Sequence, residues 1–502
     1  MRVCGNKEAA AAPFCACNAS LGIQNDGAPT DAQALEFARD RFVSSIAHAQ
    51  QVTTNGLPSR KIGYSPISQL TVAPSPEGEP ALTRVAPPPS EEDSDYALPC
   101  ILSKKQDAVR VNAVSGFVTT NKGNFSVNGK RWYAAGTNAF YAAQYDLFTT
   151  AQVDTMLQMH AANGTTVLRV FAFTDGYGTQ ANVLTPNPIQ PRLGVYNETV
   201  ARRLDYVVNK ASQLNMRVIL TLTNWWPFYG GMRLIRVSII TSVQFYVDSL
   251  YNTTAPEELF YTDTICKAYF KSYVGWLIRR TNFYSGLKYI NDPAVLAWEL
   301  SNEARTTNGY EASKGVPLGS IINSWVSEMS SYIKSLDKNH LVSTGQEGFQ
   351  INGDCCNGHT WMNNGLIGTD WITTNTLTST IDFATIHLYP SSWGFTTTDY
   401  TWLGPNWIVS RAVSALAKNK PILLEEYGLP SGWLPCRDGY FAWALRQAHQ
   451  AKYTGSLAWQ ALHTNSPISG VTSDFTFSYT GDGGNAVQFE YLFAKFLSSY
   501  AN

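Results

Sequence analysis

From about residue 109 onward, short uninterrupted apolar runs alternate with longer segments whose apolar residues recur every three or four positions. The first pattern is that of a strand buried on both faces, and the second that of an amphipathic helix. Val153, Met156, Leu157 and His160 share a helical face ahead of the run 167–173, and Leu204, Val207, Val208 and Ala211 repeat it ahead of 218–222. Further helices are expected over 268–278, 321–336, 412–418 and 441–449, and strands over 295–300, 341–344, 383–388, 422–424 and 456–459. Phe489, Leu492, Phe493, Phe496 and Leu497 form a last apolar stripe. Residues 117–127, with Asn128-Gly129 as the turn, predict a hairpin that feeds a first strand over 131–136. Eight strands with intervening helices fit an α/β fold of the closed (β/α)8 TIM barrel type better than an open doubly wound sheet. No GxGxxG or GxxxxGK[ST] loop occurs, which removes the usual nucleotide folds.

The first 105 residues differ. Residues 74–95 carry repeated Pro, Glu and Ser, and no Trp precedes Trp132. A short amphipathic element over 32–47 is the most structure this stretch offers, and it has nothing to build a core around. Residues 1–105 are therefore expected to be a mostly disordered N-terminal extension, and 106–502 the barrel domain.

Composition narrows the partners. Formal charge is −1, from 37 basic and 38 acidic residues, with no basic stripe, so neither a nucleic acid nor an anionic membrane is an expected partner. No apolar run approaches the ~18 to 20 residues that span a bilayer. A neutral polymer suits such a surface, and the 14 Trp and 26 Tyr supply flat faces for sugar rings or for the core. Asn124, Asn163, Asn197 and Asn252 open Asn-X-Ser/Thr acceptors, which points to the secretory route, although residues 1–20 do not read as a signal peptide. The eight cysteines lack CxxC pairs with histidine spacing, so no zinc site is expected, and disulfide pairing is not readable. The expectation is a secreted monomer with no metal or organic cofactor.

In such barrels the reacting groups stand at the C-terminal ends of strands. The fourth strand runs out in Trp298-Glu299-Leu300-Ser301-Asn302-Glu303, and the seventh in Leu424-Glu425-Glu426-Tyr427-Gly428. Two carboxylates facing one cleft are what glycosidic cleavage requires, one to protonate the leaving oxygen and one to attack the anomeric carbon. Each alone could equally be an arginine-paired residue of a barrel rim. Arg169 ends the second strand, where a guanidinium can orient a carboxylate. His387 and Tyr389, two apart on one strand, point the same way, toward sugar or nucleophile. Trp459 ends the eighth strand as a sugar-ring floor or a core residue. Asn224, Trp225 and Trp226 follow the third strand as cleft lining, with one of the two Trp as readily a core residue.

The pattern from about Phe117 onward resembles glycoside hydrolase family 5, and within it the eukaryotic endo-β-1,4-mannanase branch. Residues 297–303 resemble the family's acid/base strand, and Glu426-Tyr427-Gly428 its nucleophile motif, which selects Glu426 over Glu425. Residues 170–176 and 384–390 are similar to the mannanase branch in particular. The resemblance implies Glu303 as acid/base and Glu426 as nucleophile in retaining cleavage of β-mannan. It also implies Asn302 at the sugar 2-hydroxyl, and Arg169, His387 and Tyr389 around the nucleophile. A β-1,4-glucanase, a mannan transglycosylase and an inactive sugar-binding barrel are the alternatives. Ser301 and Ala304 stand where plant members have Met and Pro, and residues 233–243 interrupt a segment that is continuous in the family, as an added loop or a retained intron.

Overall fold

Two tight turns come first in the described part of the computed structural model. It describes residues 114–461, apart from 177, 181–182, 227–244, 252–254, 352–359, 396–399 and 431–436, together with Phe475 and Phe477. The N-terminal extension, the boundary at residue 105, residues 233–243, the stripe at 489–497 and every cysteine but Cys266 lie outside these residues. The Cys266 thiol is buried and free.

Lys122-Gly123 and Asn128-Gly129 all have positive φ, the signature of primed turns whose twist matches paired strands. They fold Val118–Asn121, Asn124–Val127 and Lys130–Trp132 into an antiparallel meander. The expected first strand over 131–136 is corrected accordingly: residues 130–132 pair back onto the meander, and the barrel begins at β1 (Ala134–Asn138).

Seven more barrel strands follow: β2 (Val167–Phe171), β3 (Arg217–Thr221), β4 (Val295–Glu299), β5 (Leu341–Ser343), β6 (Ala384–Leu388), β7 (Ile422–Tyr427) and β8 (Gly455–Ala458). All are parallel, in the order β5-β4-β3-β2-β1-β8-β7-β6. Between the two ends of that order the ladder gives way to single bonds. Asp382 N donates to the Val342 carbonyl, His387 N to that of Glu347, and Thr385 Oγ1 to that of Gln346, so β5 and β6 meet to complete the (β/α)8 barrel.

The helices bury the faces expected of them. In α1 (Thr150–Ala162) these are Val153, Met156, Leu157 and His160, behind a Thr149/Gln152 capping box. In α2 (Glu198–Gln213) they include Leu204, Val207, Val208 and Ala211, with Asn197 as N-cap. Near the N-terminal ends of the strands the barrel interior is apolar: Ala134, Val167, Ile219, Leu296, Leu341, Phe383, Leu423 and Leu457 pack around Phe125 of the meander. At the opposite end it is polar, with Asn138, Arg169, Thr221, Glu299, His387, Glu425 and Glu426 all buried. Charges there are tolerated only because they pair with one another, and that end carries the site. Among the described residues no helix is long and apolar enough to cross a membrane.

Candidate active site

A regular strand points successive side chains to opposite faces. β7 breaks that rule. Ile386 pairs with Leu424 but His387 with Glu426, so Glu425 is an extra residue, and the register against β8 also shifts between Leu424 and Tyr427. Such a bulge re-aims the chain, and here it brings two consecutive carboxyl groups against Arg169.

Every N–H of Arg169 is spoken for. Nη1 donates to Glu426 Oε1 (2.5 Å) and Asn138 Oδ1 (3.0 Å), Nη2 to Glu299 Oε1 (2.7 Å) and Asn302 Oδ1 (2.7 Å), and Nε to both oxygens of Glu299 (3.0 and 3.2 Å). Glu426 Oε2 accepts from the Tyr389 hydroxyl at 2.6 Å. Both carboxyl oxygens of Glu426 are thus fixed by donors from two different strand ends. Because Arg169 only donates, it also fixes the Asn302 amide: Oδ1 faces the guanidinium, and Nδ2 donates to Asn224 Oδ1 at 2.9 Å.

Glu303 sits past the end of β4 in a left-handed conformation (φ 50°) that a non-glycine residue rarely adopts. Its neighbours impose that conformation. Asn302 N donates to the Thr223 carbonyl, Glu303 N to that of Gly345, and Trp225 N to that of Asn302, so the turn is tied to the loops on both sides. Gly345 (φ 72°) has to be glycine, since a Cβ there would lie 2.1 Å from the Ser301 carbonyl oxygen. The carboxyl of Glu303 meets His387 Nδ1 at 2.6 Å through Oε1 and accepts from the Trp226 indole at 2.5 Å through Oε2. One carboxyl oxygen each of Glu303 and Glu426 and a ring nitrogen of His387 lie within 4.8 Å of one another. All these atoms are already engaged by protein donors or acceptors, so the cluster reads as an acid/base set and not as a cation site.

The charges are strongly tuned. Burial opposes the Arg169 charge, but Glu299, Glu425 and Glu426 hold its pKa far above the ordinary value. Glu299 is lowered: burial pushes it up, and the Arg169 charge together with hydrogen bonds from Arg169 and Thr221 outweighs that. Glu425 is pushed well up by burial and by the charge of Glu299. Burial also raises Glu426, against the pull of His387, Arg169 and the Tyr389 hydroxyl. His387 is lowered by burial, and Tyr389 is raised by burial and by Glu426, so it remains a phenol that donates.

Of the residues singled out from the sequence, Glu303, Glu426, Arg169, Asn302, Asn224, His387 and Tyr389 meet in this one network. Trp459 is half-buried at the end of β8, stacked 5.2 Å from Phe140 with the rings 2° from parallel. The two tryptophans after β3 divide: Trp225 is buried in the main core, while Trp226 is 37% exposed and holds Glu303. Sequence reasoning did not single out Asn138, Glu299 or Glu425 as members of the cluster. It also missed Arg305 and Glu347, an ion pair next to Trp226. Glu347 is pushed up to about 7, by burial first. Glu299 stands in the same strand-end segment as Glu303 and was legible by that rule. Glu425 was not, because alternation places it opposite Glu426.

A family model described as GH family 5 beta-mannosidase-like matches residues 115–452. A mannan endo-1,4-beta-mannosidase A of Aspergillus aculeatus is 34% identical over 384 residues, 72% of this chain and 89% of the relative. A mannan endo-1,4-beta-mannosidase 1 of Solanum lycopersicum is 31% identical, with coverages of 71% and 86%. Among solved structures, the endo-beta-1,4-mannanase from Thermotoga petrophila superposes with a TM-score of 0.62 at 30% identity, over 75% of this chain and 79% of that one. The endo-1,4-beta-mannanase from Rhizomucor miehei gives 0.60 at 26%, over 76% and 100%.

Proposed function

The chain belongs to glycoside hydrolase family 5, and from that premise we propose that it is an endo-acting, retaining mannan endo-1,4-β-mannosidase. Its substrate is a β-1,4-linked mannan, glucomannan or galactomannan. Glu303, in its acid form, protonates the departing glycosidic oxygen while Glu426 attacks the anomeric carbon from the other face. The C–O bond to the leaving sugar breaks as the bond to Glu426 forms. Water then enters, Glu303 takes its proton, and hydroxide character at the anomeric carbon displaces Glu426, which leaves as the carboxylate with net retention.

The observation that carries this reading is the pair itself. Glu426 has both oxygens held by Arg169 and Tyr389, and its carboxyl comes within 4.8 Å of that of Glu303. That spacing accords with the roughly 5 to 5.5 Å of retaining enzymes, not the 6.5 to 9.5 Å that leaves room for an inverting water. Arg169 and Tyr389 hold the attacking group in one orientation, and orientation is where much of the rate originates. Asn302, with its amide turned by Arg169, presents Nδ2 toward the sugar 2-hydroxyl. Trp459 offers a ring face at the cleavage site, and Asn224 and Trp226 border it. Trp225, by its burial, supports the wall from behind.

Residues 1–105 serve as an extension to a catalytic domain over 106–502, and the enzyme works as a secreted monomer. Three acceptor asparagines, Asn124, Asn163 and Asn197, stand at partly accessible positions, which supports passage through the secretory route. The test is reducing-sugar release from β-1,4-mannan and, in parallel, from carboxymethyl cellulose, with wild type, Glu426→Ala and Glu303→Ala. Mannan cleavage abolished by either substitution is expected. Cleavage of cellulose alone refutes the substrate, and turnover that survives Glu426→Ala refutes the nucleophile. The anomer first released, followed by NMR, reports retention directly.

A further inference from the structure

Glu425 is fully buried one residue from the proposed nucleophile, and the mechanism gives it nothing to do. The groups that face it are Arg169 from β2, Glu299 from β4, His387 from β6 and Glu426 on its own strand. Arg169 gives it no hydrogen bond: its five N–H groups go to Glu299, Asn138, Glu426 and Asn302, and Glu425 Oε2 stands 3.8 Å from Nε. Glu425 Oε1 is buried with no hydrogen-bond partner among the described residues, and the like charges of Glu299 and Glu426 stand beside it, so the ionised form is both desolvated and repelled. Glu299 is the better carboxylate of the two, since it accepts from Arg169 Nε, Arg169 Nη2 and the Thr221 hydroxyl. The proton therefore resides on Glu425. The second oxygen, Oε2, lies 3.3 Å from His387 Nε2.

We propose that Glu425 is a protonated positioning residue: its neutral carboxylic acid accepts from His387 Nε2–H through Oε2, and so fixes the imidazole tautomer that meets Glu303. With the ring hydrogen on Nε2, Nδ1 is an acceptor. The 2.6 Å contact to Glu303 Oε1 is then donated by the Glu303 hydroxyl, the form that the first step consumes. An ionised Glu425 would do the reverse. It would repel Glu299, draw a second proton onto His387 and present Glu303 with an imidazolium. The upward displacement of Glu425 and the downward displacement of His387, both driven first by burial, agree with the neutral pair. The bulge of β7 is the structural counterpart, since it turns Glu425 inward, within reach of His387.

The inference rests on the roles of Glu303 and Glu426 proposed above, and the test separates the two. Glu425→Gln keeps the side chain neutral and keeps a carbonyl for His387. It is expected to retain kcat and KM on mannan within about twofold and to leave both limbs of the pH profile in place. Infrared difference spectra of wild type minus Glu425→Gln, in H2O and D2O, are expected to show the carbonyl stretch of one protonated carboxyl. Glu425→Leu, which removes the acceptor for His387, is expected to lower kcat roughly tenfold or more with KM little changed. A Glu425→Gln enzyme that fails to fold, loses tenfold in kcat or shifts a pH limb overturns the proposal, as does an absent carboxyl band or a fully active Glu425→Leu. If Glu425→Leu does not fold, the Gln variant and its spectrum decide. Glu426→Gln is assayed alongside: activity in that variant overturns the assignment of the nucleophile, not the protonation of Glu425.

Discussion

Tyr389→Phe removes one atom from the site, the hydroxyl that donates to Glu426 Oε2 at 2.6 Å. The ring should stay where it is, because it packs edge-on against Phe475 at 5.5 Å and against the backbone of Gly428. A hydrogen bond to a charged group contributes ~1.5 to 3 kcal/mol. Water can replace part of it at this half-buried position, which points to the lower end. The bond stabilises the carboxylate over the acid, so its loss adds to the rise in Glu426 that burial already causes. The sign is then fixed. Activity requires ionised Glu426, so the acid limb of kcat/KM, already above the ordinary glutamate range, should move to higher pH by about one unit, at ~1.4 kcal/mol per unit. Loss of orientation should lower kcat at the optimum by roughly tenfold or more, with KM changed little. The assay is initial rates on soluble mannan from pH 3 to 8, with circular dichroism to confirm the fold. An unmoved acid limb with unchanged kcat would refute the reasoning, because it would mean that Tyr389 does not bear on the ionisation of Glu426.

Three further outcomes follow from the geometry. Trp226→Phe deletes the indole N–H that Glu303 Oε2 accepts but keeps an aromatic ring, so kcat should fall by about five- to fiftyfold in steady-state assays; undiminished kcat would exclude that bond from catalysis. Gly345→Ala forces a Cβ to 2.1 Å from the Ser301 carbonyl oxygen at a positive φ, and should lower the thermal midpoint measurably, by ~2 kcal/mol or more of stability, and the activity with it. Asp175, fully buried and bonded to Gln190, is pushed up to about 8 by burial. Because the folded state holds this proton more tightly than the unfolded chain, its contribution to stability is complete below about pH 4 and is lost as pH rises through about 8. Asp175→Asn should flatten that decline in a series of thermal melts, by of the order of a few kcal/mol relative to wild type, and parallel curves for the two proteins would contradict it.

The sequence by itself determined the architecture, because periodicity is local. A strand buried on both faces and a helix buried on one write their periods into the chain whatever they pack against. That is why the helical faces of α1 and α2 and seven of the eight strand positions were legible, and why Glu303 and Glu426 stood out as carboxylates at strand ends. The first strand was misplaced because an Asn-Gly turn states that the chain reverses, not which neighbour it pairs with next. What only the tertiary structure decided was register and donor allocation. Alternation puts Glu425 and Glu426 on opposite faces; the pairing of β7 with β6 and β8 inserts the bulge that turns both inward. Likewise nothing in Leu168-Arg169-Val170 says that one guanidinium will divide its five N–H groups among two carboxylates and two amides, since that depends on side chains contributed by β1, β4 and β7. Trp225 and Trp226 are chemically the same, and the loops around Asn302 decide which is buried and which reaches Glu303. Burial, charge sharing and strand register are properties of neighbours far apart in the chain, so the protonation of the site was set when the barrel closed around it.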